Sequence, residues 1–193
     1  HYKPRVDFEL LSKYKEGLIA TSACLAGEIP QFLLNDDRDA ANDSIKKFVE
    51  IYGRDNFLIE IMDHGIPEQV KVNPMLAELA EHHGLMVIAT NDCHYLTEAH
   101  SESQDLLICI GTGKEYDDPK RLRMSTSQLY FKSTDEMKRL FAEIPEAVTN
   151  TVEVAERCNV ELTLGRSHMP KFPLPAGVES EDYYLTRLAR EGL

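Results

Sequence analysis

The chain has 193 residues, 42% of them hydrophobic and 28% charged, with a formal net charge of −12 at pH 7. That length suits one sizeable globular domain with or without an appendage, and the acidic balance argues against a broad face that grips a nucleic-acid backbone, which needs clustered Lys and Arg. No apolar run of about 18 residues offers a membrane span, and no basic-then-apolar leader offers a signal peptide.

The first residues, Tyr2 to Val6, read as an extended lead-in, because Pro4 keeps Lys3 out of a helix. Asp7 is placed to cap a short helix to about Lys15, closed by Gly17. Leu18 to Cys24 reads as a strand, and Leu25 to Pro30 as the turn into another helix. Asp36 to Gly53 carries Ala40, Ile45, Phe48, Val49 and Tyr52 at helical spacing, with Asp-rich residues before it and Gly53 after it.

Phe57 to Met62 is a second apolar strand, ending in Asp63-His64-Gly65. Pro67 opens a helix with Val70, Leu76, Leu79 and Ala80 on its apolar face, running to His83-Gly84 and either bent or split at Pro74. Leu85 to Ala89 is a third strand, and the chain then turns polar through Thr90-Asn91-Asp92-Cys93-His94-Tyr95. His100 to Cys109 reads as an amphipathic helix with Leu106, Leu107 and Ile110 buried, and Tyr116 to Ser127 as a loop whose Lys120, Arg121 and Arg123 are either simply exposed or a basic contact patch. Leu129 to Phe131 is a last short strand, Ser133 caps a helix to Phe141, and Pro145 starts another to Cys158. Residues 164–178, with Pro170, Pro173 and Pro175, form a linker, and Glu179 to Leu193 looks like the first helix of a neighbouring unit.

Alternation of strand and helix argues for βα units around a parallel sheet, whose chemistry gathers at the C-terminal ends of the strands. Three such ends carry metal-competent residues: Cys24, Asp63 with His64, and Asp92 with His94. Period-two alternation would put Asp92 and His94 on one side of the pleat, a metal-ligand or acid/base arrangement, and Cys93 on the other, toward the core. The plainer readings stand beside these. Asp92 and His94 would be a hydrogen-bonded strand end, Cys24 a small core residue, and Asp63 and His64 a helix cap or a support behind the ligands. His82, His83 and His100 read as solvated helix residues, and Cys109 and Cys158 as inert. Four widely spaced cysteines favour free thiols in a reducing compartment, so the cytoplasm is the expected location. About four strands are too few to close a barrel. A start at His1 rather than Met adds to the expectation of a piece cut from a longer protein.

The runs Gly17 to Ile29, Asp63 to Gln69 and Ile88 to Tyr95, followed by Ser133 to Met137 and Leu164 to Pro175, resemble the polymerase-and-histidinol-phosphatase (PHP) domain of bacterial DNA polymerase III alpha subunits. The resemblance covers essentially the whole chain. It implies an α/β fold, the C-terminal part of a distorted (βα)7 TIM-like PHP barrel, then a linker and the first helix of the polymerase body. The corresponding division is residues 1–163, 164–178 and 179–193. It implies metal ligands at Cys24, Asp92 and His94, with the family's earlier ligands expected before His1, and a lesser claim for Asp63 and His64. The ions would be zinc or manganese, with magnesium serving the polymerase reaction of the full protein. Thiolate ligation at Cys24 suits zinc better than magnesium.

Two functions follow from the resemblance. One is a metal-dependent phosphoesterase of the 3′–5′ exonuclease type within a replicative DNA-directed DNA polymerase, with Asp92 and His94 as its catalytic residues. The other is a non-catalytic structural and docking module that receives the proofreading exonuclease subunit. Implied partners are the remainder of the alpha chain, DNA in the full-length protein and other replicase subunits, with no membrane. The isolated 193 residues are expected to be inactive, because half of the family's ligands are not among them. A stand-alone phosphatase of the histidinol-phosphatase type is disfavoured by the polymerase-like tail.

Overall fold

A computed structural model describes residues 5–167 and 169–193. The expected lead-in at residues 2–4 and His168 of the expected linker lie outside the described residues. The chain divides into two compact units, one ending at Cys158 and one running from Asn159 to Leu193, and each is described by itself.

The first unit is mixed α/β. Three strands, β1 (Ala20–Thr21), β2 (Phe57–Met62) and β3 (Val87–Thr90), form a parallel sheet in the order β1-β2-β3. Register pairs Thr21 with Leu58 and Met62 with Thr90. Strand β2 is central and apolar along nearly its whole length, as a parallel strand covered on both faces must be. Phe57, Ile59 and Ile61 belong to a core shared with α2 (Glu28–Leu34), α3 (Arg38–Tyr52) and α4 (Pro67–His83), through Ile29, Leu33, Ala41, Ile45, Val72, Leu76 and Leu79. Phe57 is fully buried and stacks on Phe48 with ring centroids 5.0 Å apart.

Alternation turns Leu58, Glu60 and Met62 to the opposite face. There the Glu60 carboxylate accepts hydrogen bonds from the Thr21 and Thr90 hydroxyls, each at 2.5 Å, so one side chain spans all three strands. After β1 the chain turns at once into α2. The turn needs Gly27, since a Cβ there would run into the carbonyl oxygens of Ser22 and Cys24.

Local signals account for most boundaries. Asp7 caps α1 (Phe8–Lys13) and Asp37 caps α3, each accepting from the third residue on. Pro67 begins α4 and left-handed Gly84 ends it. Pro74 neither splits nor ends α4, which is continuous across it, and Val72 rather than Val70 joins its buried stripe because 72, 76, 79 and 80 share a face. A 3-10 turn, Glu98–His100, leads into α5 (Ser101–Thr112). Helix α6 (Thr134–Leu140) has a full capping box between Ser133 and Glu136, and α7 (Pro145–Arg157) packs along β3, where the Asn150 amide donates to the Val87 carbonyl at 2.8 Å. The expected strand at Leu129–Phe131 is a single parallel bridge, Tyr95 to Tyr130.

Two side-chain expectations are corrected. On α5 only Cys109 is buried, while Leu106, Leu107 and Ile110 are 47%, 60% and 77% exposed. Periodicity states which residues share a face but not what covers it. In the loop after α5, Arg121 is not an exposed cation. Its side chain has no exposed surface, and its guanidinium forks onto Asp105 at 2.6 and 2.5 Å, donates from Nε to the Tyr116 carbonyl and lies over the Tyr116 ring. Those bonds hold the Asp105 carboxyl below its usual range.

The second unit holds α8 (Glu181–Glu191), capped by Ser180. Before it, Phe172 stacks on Tyr184 and donates its N–H to the Glu181 carboxylate at 3.3 Å.

Two outcomes follow. Phe57→Ala should cost about 3–5 kcal/mol in denaturant unfolding, because it removes a fully buried ring from the layer between β2 and α3; a loss under 1 kcal/mol would show that the site collapses freely. Glu136 accepts from the Ser133 hydroxyl, the Tyr130 hydroxyl and the Ser133 amide, and these bonds lower its pKa from 4.5 to about 2. A depressed carboxylate stabilises the folded state above its unfolded pKa and loses that contribution as pH falls through the folded value. The melting temperatures of wild type and Glu136→Gln should therefore differ by a constant amount above roughly pH 5 and converge toward pH 2; a gap that persists at pH 2 would contradict the assignment.

Candidate functional site

Because the three strands are parallel, their C-terminal ends emerge at one edge of the sheet, where the candidate residues lie. Strand β3 ends at Thr90, before the polar run begins. Asp92 has φ 42°, a left-handed conformation uncommon outside glycine, so the chain leaves the strand by a turn there. That turn, rather than strand alternation, brings the Asp92 Oδ1 and His94 Nε2 within 3.3 Å. It also carries Cys93 outward, so Cys93 is exposed and not in the core, with its sulfur 3.8 Å from the Tyr130 carbonyl oxygen.

The turn is held from two sides. The His94 amide donates to the Leu129 carbonyl at 2.8 Å, and the Phe131 amide to the Tyr95 carbonyl at 3.0 Å. The Asn91 side-chain amide donates to the Tyr130 carbonyl, while its Oδ1 is buried without a hydrogen-bond partner. The Tyr130 hydroxyl in turn donates to Glu136 at 2.6 Å, which links the turn to the cap of α6. Next to it, Lys132 is buried with its ammonium donating to the Gln128 carbonyl and lying 4.3 Å from the Tyr130 ring centroid. Burial pushes its pKa down, against the attraction of Cys93, Glu136, Asp63 and Glu98.

Asp63 and His64 lie at the end of β2. The Asp63 carboxylate accepts from the Gly65 amide at 2.9 Å and closes the turn into α4. His64 is 2% exposed, with Nδ1 2.9 Å from the Gln69 amide nitrogen and Nε2 2.8 Å from the Asn91 carbonyl oxygen. Both ring nitrogens are engaged, which leaves no lone pair for a cation. Cys24 is partly exposed, in the turn after β1. Of the other histidines expected in solvent, His83 is half-buried against the Asn42 carbonyl-type oxygen at 2.8 Å, and burial lowers its pKa.

The donors fit one side of a metal site. Two ligands each about 2.1 Å from a tetrahedral divalent ion sit roughly 3.4 Å apart, close to the 3.3 Å between Asp92 and His94. A carboxylate oxygen beside an imidazole nitrogen is also the donor chemistry that zinc and manganese accept. Among the described residues, however, no group of three or more His, Cys, Asp or Glu side chains is arranged to hold an ion, so Cys24 does not join the pair in a three-donor cluster. Sequence reading missed Gln69, Asn91, Tyr130 and Glu136 as the framework of the turn. Only the Ser133 and Glu136 spacing carried a local signal.

Among the described residues no helix is long and apolar enough to cross a membrane. Residues 1–64 match the PHP domain family. The chain is 43% identical over 193 residues to the DNA polymerase III subunit alpha of Treponema pallidum, 42% over 197 residues to that of Thermus aquaticus, and 38% over 190 residues to that of Escherichia coli. These alignments cover 100%, 99% and 98% of the chain, and the chain spans 16% of the length of each relative. Along its whole length, this chain is similar to one segment of bacterial DNA polymerase III alpha subunits, and the match to the PHP domain family falls in its N-terminal third.

Proposed function

We propose that this chain is the PHP module of a replicative DNA polymerase, the alpha subunit of DNA polymerase III, and that Asp92 and His94 hold a divalent cation for phosphoester hydrolysis of the 3′–5′ exonuclease type. The single observation that carries this reading is the 3.3 Å pairing of a carboxylate oxygen with an imidazole nitrogen at the sheet edge where α/β folds keep their chemistry. Identity to polymerase alpha subunits along the whole chain supports it. The full protein would be a DNA-directed DNA polymerase acting on DNA with magnesium, in the cytoplasm. Residues 1–163 would be the PHP portion, 164–178 a linker and 179–193 the start of the polymerase body.

The cation would be zinc or manganese, and when bound it would supply a Lewis acid and an activated water for attack on phosphorus. Asp92 would contribute a hard oxygen donor and His94 an imidazole nitrogen, 3.3 Å from each other. Cys24, the third expected ligand, stands apart from the pair, so the further donors would come from outside the described residues. The left-handed turn at Asp92 spares the pair from searching for its geometry when the cation arrives.

A second reading, a structural and docking module, is favoured by the exposed apolar stripe Leu106, Leu107 and Ile110 on α5. Its occupant would be the rest of the polymerase chain, since most of each relative lies outside this segment. The proofreading exonuclease subunit and other replicase subunits are the further partners of that reading.

In the full-length protein, Asp92→Asn and His94→Ala should each remove bound zinc or manganese and lower release of the 3′-terminal nucleotide by at least ~100-fold. If neither metal content nor hydrolysis changed, the catalytic reading would fall and docking would stand.

A further inference from the structure

The hydrogen bonds around His64 fix its tautomer. Gln69 Oε1 accepts from the His64 backbone N–H at 2.8 Å, so the Gln69 amide cannot turn over without losing that bond. Its Nε2 must therefore face the ring, and the 2.9 Å contact is a donation from Gln69 to Nδ1. With Nδ1 an acceptor, the ring proton lies on Nε2 and is donated to the Asn91 carbonyl at 2.8 Å. His64 is 2% exposed and Gln69 4%, so water does not compete for either bond.

The carbonyl this proton grips belongs to the residue just before the left-handed Asp92. A non-glycine residue in that conformation is uncommon, and its surroundings help to hold it there. The peptide on its N-terminal side is held by His64, and the amide of His94 on its C-terminal side by the Leu129 carbonyl. His64 also accepts at its own carbonyl from the Thr126 hydroxyl at 2.9 Å, so the loop leading to Leu129 is tied to the same residue.

We infer that His64, locked by Gln69, is a positioning residue for the Asp92–His94 pair: it fixes the Asn91 carbonyl, and through it the backbone turn that points the Asp92 carboxylate at His94. The inference rests on the reading of that pair as a cation site. It makes His64 part of the site by a neutral N–H donor, without a bond to the ion.

The test uses the intact protein and Mn2+ alone, with the fraction of bound Mn2+ that Asp92→Asn abolishes taken as the signal. His64→Leu keeps the bulk but has no donor. His64→Asn carries a nitrogen near the position of Nδ1, and His64→Gln carries one near Nε2, so only Gln can still donate to the Asn91 carbonyl. Loss of such a supporting partner typically weakens metal binding by about 10–100-fold. That loss is expected for His64→Leu and His64→Asn, with most of the affinity regained in His64→Gln. The melting temperatures of the metal-free Asn and Gln variants should be alike, so that the rescue is not one of stability. Gln69→Leu, which frees the ring from the helix side, should lose affinity as well and serves if His64→Leu does not fold. Equal weakening by His64→Asn and His64→Gln, or undiminished binding by folded Gln69→Leu, would overturn the positioning role. If Asp92→Asn left Mn2+ binding intact, the cation site itself would be wrong, an outcome distinct from failure at His64 alone.

Discussion

Parallel strands constrain this molecule more than any other feature. A parallel pair cannot be joined by a tight hairpin, so each strand must be followed by a crossover, here built from helices that cover the sheet. The same constraint sends every strand out at the same edge. Cys24, Asp63 with His64, and Asp92 with His94 are 70 residues apart at their extremes and share that edge because β1, β2 and β3 run in one direction. The buried apolar length of β2 and the stripe of α4 that covers it are what the edge stands on.

The elements with chemical punctuation were the legible ones. Asp7, Asp37 and Ser133 as caps, Pro67 and Pro145 as helix starts, and Gly84 as a stop are short-range signals, and each marks a boundary in the structure. The pairing of Asp92 with His94 was legible in outcome but not in cause. Alternation along a strand would have put them together, yet the strand has ended by then and a left-handed residue does the work. Cys93 exposes the difference, since the same alternation would have buried it.

Long-range polar contacts were not legible. Asn91 with Tyr130, His64 with Thr126 and Arg121 with Asp105 join residues 39, 62 and 16 positions apart, and nothing in the local pattern announces them. The Arg121 pair shows how composition misleads: the basic cluster Lys120, Arg121 and Arg123 reads as a solvated loop, but Arg121 is spent inside, holding the loop to α5. The apolar stripe of α5 misleads in the other direction, since its period is correct and its cover is not among the described residues.

Glu60 sets the register of the whole edge. Its two carboxylate oxygens are shared between hydroxyls of the strands on either side, one layer below the tips. A slip of two residues in either neighbour would keep every side chain on its proper face but move a hydroxyl by about 6.6 Å, leaving the charge half-matched on the sheet. The carboxylate thus acts as a key cut for one alignment. The tips of β2 and β3 stay level because of a residue that itself takes no place among them.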